Sequence, residues 1–439
     1  MHIVNTATIW IDREKRYQTL DGFGVNINAK YWDGGKLRPV VDCLIDDLGA
    51  VLFRVDGYGK ANWPDPDSTR GEESLCAENL ERIYQTPPFQ NVLGLCKYLN
   101  ERNISPYITV SGVVPAWMCE ADGVTLSRFD LFAKMTVHYA AWLRKNGVRF
   151  SLFGPLNETD FGPPEGPCVS PECYVAACLA VLDELDRAGM QDVTLVVPEQ
   201  GGFDLRYLQA LLANDRLRSR IAVVGMHMYS EVDVAQAVDY VSAHAPHSRY
   251  WMTEFGDLDQ NSAKEEQLAL TCLRRLFRQL QSGANGALFW DAFDNHHDHD
   301  NCFTAYGLMT SGMEVYTPKK RYYALKHIFR YVRPGFQRIA VSSDHPDLEL
   351  VAFCNPDSDE ITVVGINPTN DGVYLDLNLG WFAPGDGLKY LQFEAYRTCE
   401  HECCAKVTQP IIKLRNPAGK GFEFTALPHS IFTVTNIRS

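Results

Sequence analysis

Phe150-Ser151-Leu152-Phe153-Gly154-Pro155-Leu156-Asn157-Glu158-Thr159-Asp160 is a short apolar run that stops on a polar pair, Asn157-Glu158. In a parallel sheet both faces are covered, so a strand stays apolar until its C-terminal end, where side chains reach a ligand crevice. A carboxylate placed there is available for chemistry. The alternative is that Glu158 caps a following helix, since acids are favoured at helix starts. A second stretch weighs against it: Tyr250-Trp251-Met252-Thr253-Glu254-Phe255-Gly256-Asp257 is again aromatic and apolar and again ends on a carboxylate.

Outward from these two runs the chain alternates short β-like segments with longer amphipathic ones. Candidate strands begin near Leu20, Gly49, Ser105, Arg149, Val193, Ile221, Tyr250 and Ala284. Apolar residues at three and four spacing predict helices near Leu37–Leu48, Gln90–Glu101, Arg128–Asn146, Pro171–Ala188, Arg206–Asp215, Val234–Ala245, Ser262–Ser282 and Pro318–Tyr331. That succession of βα units predicts an α/β fold, a closed (β/α)8 TIM barrel with its site at the C-terminal strand ends. Before Leu20, Ala7-Thr8-Ile9-Trp10-Ile11-Asp12 alternates like a strand of an exposed sheet; after Pro334 the pattern turns to short strands such as Leu348–Phe353, Glu360–Asn367 and Ser430–Thr435. One β-sandwich built from both chain ends follows. The expected units are residues 1–19 (N-terminal strands of the sandwich), 20–332 (catalytic barrel) and 333–439 (C-terminal sandwich).

Length agrees with this division, because 439 residues exceed one ordinary core and suit a barrel of about 250 residues with a smaller domain. Hydrophobic content of 46% and charged content of 22% are those of a globular chain. A formal charge of −14 and the lack of clustered Lys and Arg exclude a nucleic-acid partner and favour a neutral or cationic substrate. No run approaches the ~20 apolar residues of a membrane span, and Met1–Trp10 lacks a basic start and apolar core. No membrane partner is expected. The 13 scattered cysteines, several inside apolar runs (Cys43, Cys96, Cys178, Cys272), fit reduced thiols and a cytoplasmic protein. If a signal has been removed, the protein is secreted or periplasmic.

Two carboxylates at one face suit retaining sugar hydrolysis, which needs a carboxyl pair about 5 Å apart, one protonated for the leaving group and one ionised to attack. Asn157-Glu158 after a fourth strand and Glu254 at the end of a seventh resemble the acid/base and nucleophile of clan A glycoside hydrolases, and family 30 within that clan. Further matches run over most of the chain: Gln18–Gly24, Leu52-Phe53-Arg54-Val55, Pro115-Ala116-Trp117-Met118, His227-Met228-Tyr229, Gly286–Trp290 and the exit helix Arg321–Gly335. The family also pairs its barrel with such a sandwich. The resemblance implies that Arg54 supports the nucleophile, Asn157 holds the sugar 2-hydroxyl and Tyr229 donates to Glu254. Trp117, Trp290 and His227 complete a carbohydrate-binding set, although either tryptophan, and His227, also fits a place in the core. Glu254 is expected to stay ionised beside Arg54, and Glu158, facing that charge, to carry the proton. A carbohydrate is the expected partner, with no cofactor and no metal.

Two segments stand apart from the family pattern, and a third, rich in cysteine, invites a zinc reading. Asp291-Ala292-Phe293-Asp294-Asn295-His296-His297-Asp298-His299-Asp300-Asn301 is a dense His/Asp loop, read as a polar substrate-facing loop, with metal-assisted hydrolysis through residues 294–300 as the alternative. The long Pro- and acid-rich segment Tyr58–Pro88, with Trp63, is expected to shape specificity. Cys399-Glu400-His401-Glu402-Cys403-Cys404 lacks paired Cys-x-x-Cys knuckles and is read as a loop of the second domain. A barrel that binds sugar without turning it over is the remaining alternative, because fold alone does not confer activity.

Overall fold

The computed structural model describes residues 3–57, 71–230, 232, 234–297, 301–311, 315–378, 393–408 and 421–437. After an N-terminal strand, β1 (Ile3–Thr19), eight parallel strands close a barrel in chain order. They are β2 (Gly22–Ile27), β3 (Leu52–Asp56), β4 (Tyr107–Thr109), β5 (Leu152–Gly154), β6 (Thr194–Gln200), β7 (Ile221–Met228), β8 (Arg249–Phe255) and β9 (Gly286–Phe289), with β9 pairing back onto β2. All eight expected strands are present, as are the eight expected helices. Among the described residues two further α-helices, Ala77–Tyr84 and Asp215–Arg220, were not expected. The first corrects the reading of Tyr58–Pro88 as one long loop, since Leu80, Ile83 and Tyr84 bury one helical face there. Residues 58–70, including Trp63, lie outside the described residues.

Side-chain alternation divides each barrel strand between two environments. Phe23 and Val25 of β2, Phe53 and Val55 of β3, Leu195 and Val197 of β6, and Val224 and Met226 of β7 join the core between sheet and helices. The opposite positions fill the barrel, where Tyr107, Val196, Val223, Trp251 and Leu288 form an apolar floor. Above it the buried positions turn polar: Asn26, Arg54, Thr109, Glu199, His227 and Glu254. The tight closure depends on Gly24, where a Cβ would lie 1.6 Å from the Leu52 carbonyl oxygen.

Two short ribbons follow the barrel's last strand, β10 (His296–His297) with β11 (Cys302–Phe303) and β12 (Met309–Ser311) with β13 (Tyr316–Pro318). The remaining strands are β14 (Gln337–Ser343), β15 (Glu349–Cys354), β16 (Ile361–Asn367), β17 (Gly372–Asn378), β18 (Glu394–Cys399), β19 (Glu402–Lys406), β20 (Gly421–Ala426) and β21 (Ser430–Thr435). With β1 they make one nine-stranded sheet of order β19-β18-β21-β16-β15-β14-β1-β17-β20. β1 pairs antiparallel with β14 and parallel with β17, and is longer than the expected Ala7–Asp12. The sandwich is this single sheet folded over, so that strands distant in its order share a core containing Ile9, Leu350, Leu375, Phe424 and Phe432.

The helix Lys320–Phe329 joins sheet to barrel. Its His327 is fully buried, with Nδ1 2.7 Å from Thr433 Oγ1 and Nε2 2.9 Å from Thr398 Oγ1. Burial pushes His327 down to about 3, so it links the two as a neutral ring. The cysteine-rich segment is the tip and second strand of the β18–β19 hairpin, and Lys320 Nζ donates to the Cys399 carbonyl at 2.7 Å. Among the described residues no helix is long and apolar enough to cross a membrane.

Candidate active site

Arg54 organises the polar layer. It is the second residue of the pair Phe53-Arg54, so alternation turns its side chain into the barrel while Phe53 packs outward. Its Nη1 contacts Glu254 Oε1 and donates to Asn26 Oδ1 at 2.9 Å; its Nη2 donates to Asn157 Oδ1 at 2.6 Å and lies 2.9 Å from Glu199 Oε2. One guanidinium thereby joins β2, β6, β8 and the turn after β5. Tyr229, just past β7, donates its hydroxyl to Glu254 Oε2 at 2.7 Å. His227 Nδ1 lies 2.5 Å from Glu158 Oε1 and 3.4 Å from Glu254 Oε2. One carboxylate oxygen from each glutamate and a ring nitrogen of His227 all fall within 4.8 Å of one another.

Six of the eight residues singled out in the sequence line one cavity or its floor at this face: Arg54, Asn157, Glu158, Tyr229, Glu254 and Trp290. Two are placed differently from expectation. His227 is 1% exposed and sits beneath the carboxylates, where it meets them and not the cavity. Trp117, in a single turn after β4, is half-buried against the barrel core and is not among the lining side chains.

The sequence reading passed over Glu199, Asn26 and Asp56, and took Asp291 only as the start of the His/Asp loop. Glu199 ends the run Thr194-Leu195-Val196-Val197-Pro198 in the manner that marked Glu158 and Glu254, so the same signal was present. Asp56 ends β3 and accepts from the Ser111 amide at 2.9 Å; both residues line the cavity. Asp291 follows Trp290 and accepts from the amide of Asn295 at 2.8 Å.

Burial sets the charges. It pushes Glu254 up, against His227, Arg54 and the Tyr229 hydroxyl, which hold it down, while the charge of Glu158 adds to the rise. The ionised form expected of Glu254 thus rests on His227, Arg54 and the Tyr229 hydroxyl acting together against its burial. Burial also opposes charge on His227, but Glu254 and Glu158 outweigh it and lift the ring to about 10. Burial works against Glu199 likewise, yet Arg54 and His227 hold its carboxyl down at about 2. At Asp291 burial wins, to about 8, so this carboxyl is protonated at neutral pH.

The His/Asp loop contributes structure more than ligands in its described part. Asp294 is held by Lys319 Nζ at 2.7 Å and by the Gly307 amide at 2.8 Å. His296 and His297 line the cavity, with His297 edge-on to Trp290 at 5.8 Å and its Nδ1 3.1 Å from the Tyr306 hydroxyl. Residues 298–300, on which much of the metal reading rested, lie outside the described residues.

This closed (β/α)8 barrel joined to a folded sheet is the fold of glycoside hydrolases of family 30, and the chain is similar to that family and to related glycoside hydrolases. No family model matches the chain. Among curated proteins it is 22% identical over 255 residues to the glucuronoxylanase XynC of Bacillus subtilis (strain 168), a match covering 58% of this chain and 56% of that protein. The chain thus spans about half the length of that relative. Among solved structures, a GH30 endoxylanase from Clostridium papyrosolvens C71 superposes with a TM-score of 0.73 at 16% identity, over 98% of this chain and 99% of that one. An endo-β-1,6-glucanase superposes with a TM-score of 0.70 at 16% identity, over 98% and 94% of the two chains.

Proposed function

We propose that the protein is a retaining glycoside hydrolase that cleaves a β-D-glycoside, or a stereochemically equivalent α-L-arabinoside, by double displacement through a covalent glycosyl-enzyme. The observation that carries this reading is the approach of Glu158 and Glu254, one carboxylate oxygen of each lying within 4.8 Å of the other. Retaining pairs stand about 5–5.5 Å apart, whereas inverting pairs leave about 6.5–9.5 Å for a water. The environments divide the roles. Glu254 receives Arg54 and Tyr229, which orient it and favour its ionised form, so it attacks the anomeric carbon. Glu158 protonates the departing oxygen, then, with Glu254 esterified, takes the proton of the incoming water. Asn157, fixed by Arg54, presents its amide towards the sugar 2-hydroxyl, and Trp290 offers an apolar edge to the ring. No step needs a cofactor.

Residues 20–332 form the catalytic unit in this reading, and residues 1–19 with 333–439 form the sheet domain that supports it. The free state of all 13 cysteines supports a reducing, cytoplasmic setting. The structural neighbours act on different linkages by their descriptions, xylan in one case and β-1,6-glucan in another, so the glycone is a matter for assay. A panel of chromogenic β-glycosides and α-L-arabinosides, with xylan and β-1,6-glucan, tests the proposal. Turnover with a product first released in the substrate's anomeric configuration is the expected result. Binding without turnover across the panel would leave a sugar-binding barrel instead.

A further inference from the structure

Glu199 bears a charge that the two-carboxylate reaction does not use. It is fully buried, where an unpaired carboxylate would shed its charge by taking up a proton. Two cations hold it: Arg54 Nη2 at 2.9 Å and His227 Nε2 at 3.6 Å, both from Oε2. The far ends of the same two cations meet the reacting pair, Arg54 at Glu254 and His227 at Glu158. The backbone repeats the link, since the Glu158 amide donates to the Glu199 carbonyl at 2.8 Å. Both residues take a left-handed conformation, φ 42° at Glu158 and 55° at Glu199, which non-glycine residues adopt rarely and mostly at functional sites. On the adjacent strand β7, Gly225 leaves the space, for a Cβ there would lie 2.1 Å from Glu199 Oε1.

We propose that Glu199 is a positioning residue for both steps of the reaction, holding Arg54 and His227 as oriented cations under Glu254 and Glu158 without itself touching substrate. The proposal rests on the glycosidase reading of that pair. Charge counting shows what Glu199 adds. At rest, with the proton on Glu158, the anions Glu254 and Glu199 balance Arg54 and His227. In the glycosyl-enzyme Glu254 is esterified and Glu158 has given its proton to the leaving group, so Glu158 and Glu199 balance the same two cations. The buried set is neutral in both states. Without Glu199 it would carry one excess positive charge in each, and His227 would relieve this by losing its proton, leaving ionised Glu158 without its partner.

The groups that face Glu199 are Arg54 from β3, Tyr107 from β4, the Glu158 backbone after β5, Tyr174 from the helix Pro171–Arg187, His227 from β7 and the Thr253 hydroxyl from β8. Tyr107 and Tyr174 are buried and kept neutral, so His227 is the one that titrates in response.

The test reads His227 by NMR of histidine-labelled resting enzyme, its signal assigned by loss in His227→Gln. In the wild type the ring stays an imidazolium between about pH 5 and 8.5, well above an ordinary histidine. In Glu199→Gln its midpoint falls by about two units or more, and the alkaline limb of kcat/KM moves down with it. Glu199→Asp, which keeps the charge, leaves the ring cationic. An unchanged His227 midpoint and alkaline limb in Glu199→Gln, with only a lower Tm, would make Glu199 a packing residue and overturn the proposal. If Glu199→Gln does not fold, the wild-type spectrum decides, because a ring titrating at about 6.5 there overturns it equally. The His227 titration needs no substrate, so a protein inactive on every glycoside would sink the glycosidase reading separately.

Discussion

The Tyr229 hydroxyl donates to Glu254 Oε2 at 2.7 Å, on the carboxylate oxygen that Arg54 leaves open. This bond favours the ionised form of a carboxyl that burial pushes up. Tyr229→Phe keeps the ring and removes the donor. A hydrogen bond to a charged group is worth about 1.5–3 kcal/mol, so kcat/KM is expected to fall about ten- to a hundredfold. The sign of the pH effect is fixed as well: Glu254 loses a group that held it down, so the acid limb of the profile moves to higher pH. An acid limb that stays in place while the rate falls would detach Tyr229 from the nucleophile.

Gly225 gives a steric prediction. A methyl group on β7 would meet Glu199 Oε1 at 2.1 Å and Thr253 at 3.0 Å, and Glu199 is fully buried. Overpacking of this kind costs about 1–3 kcal/mol. Gly225→Ala should therefore lower Tm by several degrees and reduce kcat, because the displaced Glu199 carries Arg54 with it. A variant with wild-type Tm and kcat would show that the layer yields without consequence.

Glu199 also predicts how stability varies with pH. Its folded-state value, about 2, lies below the ordinary carboxyl value of 4.5. A depressed carboxyl contributes stability that is fully present above the unfolded value and lost as pH falls through the folded one. Urea midpoints of wild type and Glu199→Gln should therefore differ most above about pH 4.5 and converge as pH approaches about 2. A constant difference across that window would mean that the buried carboxyl is already neutral in the folded protein.

Chelation separates the two chemistries that the His/Asp loop once allowed. Asp294 is engaged by Lys319 and the Gly307 amide, and the grouping of Glu158, His227 and Glu254 is the carboxylate pair itself. Dialysis against EDTA should leave turnover unchanged. A loss restored by a divalent ion would transfer the chemistry to a metal.

The barrel was legible because its strands end as they do: eight apolar runs stop on turns or polar residues, and two stop on the glutamates now seen together. Glu199 stops a third such run, yet nothing local distinguishes it from an acid at a helix start. Its meaning arises only from Arg54 and His227, which come from strands distant in sequence. His227 shows the same limit in reverse. Its strand pattern admits a core histidine or a site residue, and the fold makes it both, buried at 1% exposure and 2.5 Å from Glu158. Ala77–Tyr84 escaped notice for a plainer reason, since eight residues with three buried apolar side chains give a weak period inside an acid-rich stretch.

The roles of the two glutamates are separable by leaving-group chemistry. If Glu158 is the acid, Glu158→Ala should lose most activity on substrates with poor leaving groups. It should keep much of the first step on an activated aryl glycoside, whose phenol departs with little protonation. Azide needs no general base, so it should enter the space vacated beside His227, speed turnover and release a glycosyl azide of retained configuration. Glu254→Ala lacks the attacking group, and no protonation substitutes for it, so it should be inactive on every leaving group. Azide can rescue this variant as well, by direct displacement from the face that Glu254 occupied, and the product is then inverted. Product stereochemistry by NMR reads the assignment directly. Retained azide from Glu254→Ala and inverted azide from Glu158→Ala would exchange the roles of acid and nucleophile. If both variants kept wild-type turnover without azide, the pair joined through His227 and Arg54 would not be the catalytic site.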